Sequence, residues 1–281
     1  MKDIKITILC ENTVVGKVGG NGEHGFAVWI ETDNTNILFD TGNGSTLVNN
    51  SLTFGIDLKK ANLIALSHGH YDHTGGLVPF LNIKGEIPIY AHPDIMDKKI
   101  SIRKISGKET RRYIGIPYEL ELLKSLGAKF IFNKDFIEIE EKIFLTGEVK
   151  RRTTFEKDDP QLFITKDGKD IHDPMLDDQS LIIDTKKGLI VILGCAHAGI
   201  INILHHAIEK TGKDHILLVM GGTHLGFLEK EQLEKSIEAL HQFDIEKIGG
   251  SHCTGLTGLA HLMHAFGERF FFASVGTVVK T

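Results

Sequence analysis

The order of elements along the chain predicts an α/β fold. Three observations carry it. Short β-rich runs bounded by Gly, Asn and Asp fill the first third, amphipathic helical runs alternate with strands in the second half, and 281 residues can bury a substantial core. Periodicity goes no further than α/β. One domain over residues 1–281 is expected, with a substrate-facing insertion at 93–160 where the pattern loosens.

The N-terminal residues Met1-Lys2-Asp3-Ile4-Lys5-Ile6 alternate charged and apolar side chains, which reads as a first strand and not as a signal peptide. Further strands are expected at 26–30, 37–39 and 63–66. Residues 77–81 look helical, and 87–92 return as a strand. Residues 181–184 and 189–193 flank the turn Thr185-Lys186-Lys187-Gly188 as a hairpin. A helix at 200–210, a strand at 216–220 and a helix at 229–243 follow, the last with Leu233, Ile237 and Leu240 on one face. Lys98, Lys99, Arg103, Lys104, Lys108, Arg111 and Arg112, interleaved with Ile100 and Ile102, suit either a lid over an anionic substrate or, somewhat better, a solvated surface helix.

Net charge and cysteine usage argue against several classes. A formal charge of -5 argues against a nucleic-acid binder, which would show a basic stripe. Cys10, Cys195 and Cys253 are odd in number and widely spaced, so a disulfide framework is not expected and a cytoplasmic protein is. No apolar run reaches the length of a membrane span. A homo-oligomer is compatible with the sequence.

The segment Ser67-His68-Gly69-His70-Tyr71-Asp72-His73 places three imidazoles and a carboxylate within six residues, directly after the apolar run Leu63-Ile64-Ala65-Leu66. Imidazole nitrogen and carboxylate oxygen suit borderline cations such as zinc. The spacing does not fit one helical face. On a strand ending in a loop, His68 and His70 point the same way while Asp72 and His73 turn toward a neighbouring point, so two adjacent cations are expected. A merely His-rich polar turn would crowd these groups with nothing to hold them.

This motif resembles that of the metallo-β-lactamase superfamily, whose HxHxDH signature likewise follows a strand and opens a helix. Gly25-Phe26-Ala27-Val28-Trp29-Ile30 and Ile37-Leu38-Phe39-Asp40-Thr41-Gly42 are similar to its opening hairpin, and Ile248-Gly249-Gly250-Ser251-His252 to its last ligand motif. The strings around His197, His224 and His252 are similar to a branch of metal-dependent hydrolases that includes an archaeal synthase of a pterin-aminobenzene-ribofuranosyl phosphate. The resemblance implies a four-layer αββα sandwich. It also implies two divalent cations, zinc first with iron or manganese as alternatives, and a metal-activated water attacking a small anionic ester or phosphoester.

Under that resemblance His68, His70 and Asp178 hold one cation and Asp72, His73 and His252 the other, with His197 near both and Asp72 doubling as the catalytic proton acceptor. Asp40 orients a ligand imidazole, and His224 contacts a ligand or the substrate. The chain departs from the family pattern before the 181–193 hairpin, where no histidine stands in the expected context. Asp178 is the candidate there. Cys195 aligns with the family's bridging position as well as His197 does, and Glu148 is a further candidate. Cys253, expected to face away from His252 in extended chain, is assigned no chemistry, and the histidines at 205, 206, 241, 261 and 264 are assigned to packing or surface. A synthase acting on a pterin and a phosphorylated sugar compound, and a non-enzymatic metal-binding protein, are the competing readings.

Overall fold

The computed structural model describes residues 4–16, 19–227 and 229–281. Two seven-stranded sheets form its centre. The first runs, in spatial order, Val278–Lys280, Lys5–Cys10, Ala27–Glu31, Asn36–Phe39, Leu63–Ala65, Ile87–Ala91 and Ala128–Phe132. The second runs Phe270–Phe272, Asp244–Ser251, His215–Gly222, Gly188–Leu193, Leu181–Thr185, Ile143–Leu145 and Ile137–Glu140. Residues 1–3 of the expected first strand lie outside the described residues.

The strands alternate between two buried faces, which is why they read as near-continuous apolar runs. Ile6, Ile8, Val28, Ile30, Ile37 and Phe39 of the first sheet pack against Leu181, Ile183, Ile190, Ile192, Leu218 and Met220 of the second. The intervening residues Trp29, Leu38 and Ile64 face outward onto Leu47, Leu77, Phe80 and Leu81 of the helices Leu47–Thr53 and Leu77–Lys84. On the other side, Ile182, Val191 and Leu193 meet Ile203 and Leu204 of helix Ile200–Thr211, Leu233 and Leu240 of Lys230–Leu240, and Leu262 of Gly255–Phe266. Three apolar interfaces separate four layers, helix on sheet on sheet on helix. Each fully buried side chain such as Phe80 contributes about 1.5–3 kcal/mol by leaving water.

The basic segment corrects one expectation. It forms neither a surface helix nor a loose loop but a β-hairpin, Lys99–Ile105 paired with Lys108–Tyr113. Ser106 and Gly107 both take positive φ (51° and 78°), as a two-residue type I′ turn requires. This hairpin joins Leu162–Lys166 and Lys169–His172 in a third, four-stranded sheet. The 93–160 stretch is therefore shared out. Ala128–Phe132 edges the first sheet, Ile137–Glu140 and Ile143–Leu145 edge the second, and the third sheet continues past Pro160. Among the described residues no helix is long and apolar enough to cross a membrane.

Candidate metal centre

Strand Leu63–Ala65 delivers the chain to the edge of the sandwich, where Ser67 to His70 turn and a single helical turn, Tyr71–Thr74, follows. The turn is held from below. Asp177 accepts from the Gly69 N–H at 2.8 Å, and the Gln179 N–H and side-chain amide donate to the carbonyls of Ser67 and Leu66. With the loop pinned, His68 and His70 converge, His68 Nε2 standing 3.0 Å from His70 Nδ1. The helical turn then aims Asp72 and His73 at a second point. His252 Nε2 lies 3.2 Å from His73 Nε2 and 3.4 Å from Asp72 Oδ2.

Asp40, at φ 58°, sits beneath the turn and accepts from the Ser67 N–H, the Ser67 hydroxyl and His73 Nδ1, each at 2.7 Å. A carboxylate only accepts, so the proton of His73 stays on Nδ1 and its Nε2 presents a lone pair to the cluster. The loop after strand Gly188–Leu193 brings in Cys195 and His197. The donor atoms of His68, His70 and His197 lie within 4.8 Å of one another, as do those of His68, His73 and Cys195. Cys195 Sγ is 3.3 Å from His73 Nε2. His224 joins Cys195 and His197 in a further group, its ring 4.4 Å from that of His197.

Three residues depart from what the sequence leads one to expect. Asp178 is in none of these groups. Its Oδ1 stands 3.9 Å from His68 Nδ1, the nitrogen opposite the one facing His70, and its Oδ2 accepts from the Ala198 N–H. Glu148 lies elsewhere, bonded to His92 and close to Lys134. Cys253 does not face away: His252 takes φ 50° and residues His252–Thr254 form a 3-10 turn, so its sulfur comes back to Cys195 and His252. Extended-chain alternation fails at a residue with positive φ.

Two participants carried no sequence signal. His24 stands alone in a loop, yet its Nε2 is 3.1 Å from Asp72 Oδ2. Lys99, counted among exposed basic residues, is 1% exposed and bonded to Asp173 at 2.7 Å and Asp177 at 2.8 Å. Of the histidines assigned to packing or surface, His206 bonds the Thr146 carbonyl and belongs to none of these groups.

Electrostatics fit the residues to cations. Burial, reinforced by the neighbouring imidazoles, pushes His68 and His197 well below the usual histidine range. Burial together with Lys99 takes His70 down to about 3. Neutral imidazoles are the form that coordinates a metal. Burial would raise Asp72, but hydrogen bonds from His24 and His252 outweigh it and hold that carboxyl well below its ordinary value. Asp178, desolvated, rises to about 7. His70 Nε2, His197 Nε2 and His224 Nδ1 are buried with no hydrogen-bond partner. Orphaned buried nitrogens are costly, and bound cations would give them partners.

The cluster opens to a cavity of about 500 Å³ lined by His70, Asp72, His197 and His252 on its floor and by Arg103 and Arg112 of the hairpin on its wall. Arg112 lies over the Tyr71 ring at 4.9 Å and donates to its hydroxyl. A second cavity of about 640 Å³ adjoins it, sharing Arg103, Asp159, His197, His224 and Phe227.

A family model described as the metallo-beta-lactamase superfamily matches residues 20–201. The 7,8-dihydropterin-6-methyl-4-(beta-D-ribofuranosyl)-aminobenzene-5'-phosphate synthase of Methanocaldococcus jannaschii is 31% identical over 290 residues, covering 99% of this chain and 97% of its own. An uncharacterized protein of the same organism is 33% identical, covering 98% of this chain and 99% of its own. A solved metal-dependent hydrolase of the beta-lactamase superfamily shares the fold with a TM-score of 0.83 and 29% identity over 98% of each chain. Sandwich, cluster and matched sequence agree, and the chain belongs to the metallo-β-lactamase superfamily.

Proposed function

We propose that the protein is a metal-dependent hydrolase of small anionic esters, phosphate monoesters first among them. The observation that carries this reading is the placement of Arg103 and Arg112 on the wall of the cavity whose floor is the imidazole cluster. Guanidinium groups bind phosphate oxygens in a fixed fork, and a cavity of about 500 Å³ has room for a small phosphorylated molecule.

His68, His70 and His197 would hold one cation, Asp72, His73 and His252 a second, with Cys195 between them. Imidazole, thiol and carboxylate donors suit zinc better than manganese, with iron as the other candidate. Bound cations would supply Lewis-acid polarisation and bring the acidity of water toward neutrality. The chain does the rest. Arg103 and Arg112 hold the anion over the floor. Asp72 Oδ2 is placed to accept a proton, and His24, half exposed and 3.1 Å away, can pass it to solvent. Asp40 keeps His73 in one tautomer and orientation.

Arg103→Ala and Arg112→Ala should each raise KM for a phosphomonoester by about 10–100-fold, the worth of a charge-assisted hydrogen bond, with a smaller change in kcat. Steady-state kinetics on metal-loaded protein, with phosphomonoesters set against lactones and thioesters, checks this. Turnover of lactones alone, indifferent to both arginines, would defeat the reading.

A second reading, a synthase joining a pterin to a phosphorylated sugar compound, draws on the second cavity and on the similarity to the M. jannaschii synthase. There the adjoining chamber, with Lys157 and Lys235 on its wall, would seat the second reactant. Incubating both reactants and finding a joined product by mass, with no hydrolysis, decides for it.

A further inference from the structure

We propose that Cys253 is a thiolate ligand paired with Cys195, so that the second cation position is sulfur-rich and takes soft or borderline cations in preference to magnesium or manganese. This rests on the cation-holding reading above.

The donor atoms of Cys195, His252 and Cys253 lie within 4.8 Å of one another. Zinc–sulfur and zinc–nitrogen bonds of tetrahedral sites put neighbouring donors roughly 3.3–3.8 Å apart. Around this point, Cys195 Sγ to His73 Nε2 at 3.3 Å stands at the lower end of that spacing and His73 Nε2 to His252 Nε2 at 3.2 Å just below it.

The seat of the Cys253 sulfur is built. A Cβ on Gly222 would stand 2.3 Å from the Gly194 carbonyl oxygen and 2.6 Å from the Cys253 sulfur, so the second glycine of Gly221-Gly222-Thr223-His224 leaves room for both the neighbouring strand end and the thiol. The His224 N–H donates to Cys253 Sγ at 3.3 Å, a main-chain donor suited to a thiolate. As a thiol, Cys253 donates instead to the Cys195 carbonyl at 3.4 Å. Both cysteines are buried yet line the cavity, so an ion reaching the floor meets them.

Plain packing is the competing account, and Cys10 shows what it looks like here. That thiol lies within the apolar cluster under the first sheet and accepts from the Thr46 hydroxyl. Cys253 has imidazoles and a second thiol around it instead. Sulfur donors select against hard cations, which prefer oxygen.

The test is cobalt(II) reconstitution of the metal-stripped full chain, read by the sulfur-to-cobalt charge-transfer absorption. Wild type should show the band. Cys195→Ser and Cys253→Ser should each lose about half of it, and the double variant all of it, if two thiolates bind. Cys10→Ala should keep it. Unchanged thermal unfolding of the stripped variants excludes misfolding as the cause. A full-strength band in folded Cys253→Ser overturns this proposal and leaves the metal centre standing, whereas a wild-type chain that takes up no cobalt overturns both.

Discussion

Replacing His68 by alanine should strip bound cations and activity together. His68 belongs to two of the donor groups, one with His70 and His197 and one with His73 and Cys195, so its loss weakens both cation positions. The expected fall in kcat/KM is at least about 10³-fold, because a Lewis-acid cation is worth several kcal/mol of transition-state stabilisation. Asp72→Asn removes the proton acceptor and weakens one ligand of the second cation position together. It keeps the size of the side chain and loses the negative oxygen that faces His24 and His252. Loss of general-base action lowers kcat by about 10²–10⁴-fold. Elemental analysis of the purified variants alongside steady-state kinetics checks both. An active His68→Ala protein without metal would end the metal-centre account.

Lys99→Ala should be the most destabilising single change, at about 3–5 kcal/mol, because it leaves Asp173 and Asp177 as buried carboxylates without a counter-charge. For a chain of this size that lowers the unfolding midpoint by roughly 6–20 °C. The effect reaches the centre, since Asp177 also holds the Gly69 N–H between His68 and His70, and Lys99 begins the strand that carries Arg103. Cation affinity should fall with stability. Burial alone would lower the Lys99 pKa, but Asp177 and Asp173 outweigh it and raise it above 10.5. A raised folded-state pKa gives stability that is complete below the unfolded value of 10.5 and is lost as pH climbs through the folded value above it. The stability gap between wild type and Lys99→Ala should therefore be flat across neutral pH and close only in strong alkali. Chemical denaturation from pH 6 to 11 measures it; a gap that closes near neutrality would show that the buried ion pair is not its source.

The hairpin at 181–193, the helix Ile200–Thr211 and the alternation of the first strands were legible because both faces of each sheet are apolar and the turns between them are marked by Gly, Asn or Asp. The basic segment reads as a helix or a lid and folds as a hairpin. Lysine and arginine interleaved with isoleucine fit a helix face and a strand face alike, and the deciding signal was the Ser106-Gly107 pair in the turn. Nothing local distinguishes a lysine that will be buried between two aspartates from one in solvent. Asp178 and His197 are both expected at the cluster; His197 shares a donor group with His68 and His70, whereas Asp178 Oδ1, buried and without a hydrogen-bond partner, stands 3.9 Å from His68 Nδ1 outside the donor groups. Asp178 approaches His68 from the far side of the ring, which no spacing rule encodes.

By itself the sequence determined that a strand ends in a run of imidazoles able to bind a cation, because that chemistry is local: the ligands sit within six residues and the apolar run before them sets the strand. Only tertiary structure decided which distant groups close on that run. His24, the Cys195–His197 loop and the His252–Cys253 turn come from three distant parts of the chain, and their approach is fixed by sheet pairing, by backbone at positive φ and by glycines that leave room, all of which depend on what the rest of the chain packs against.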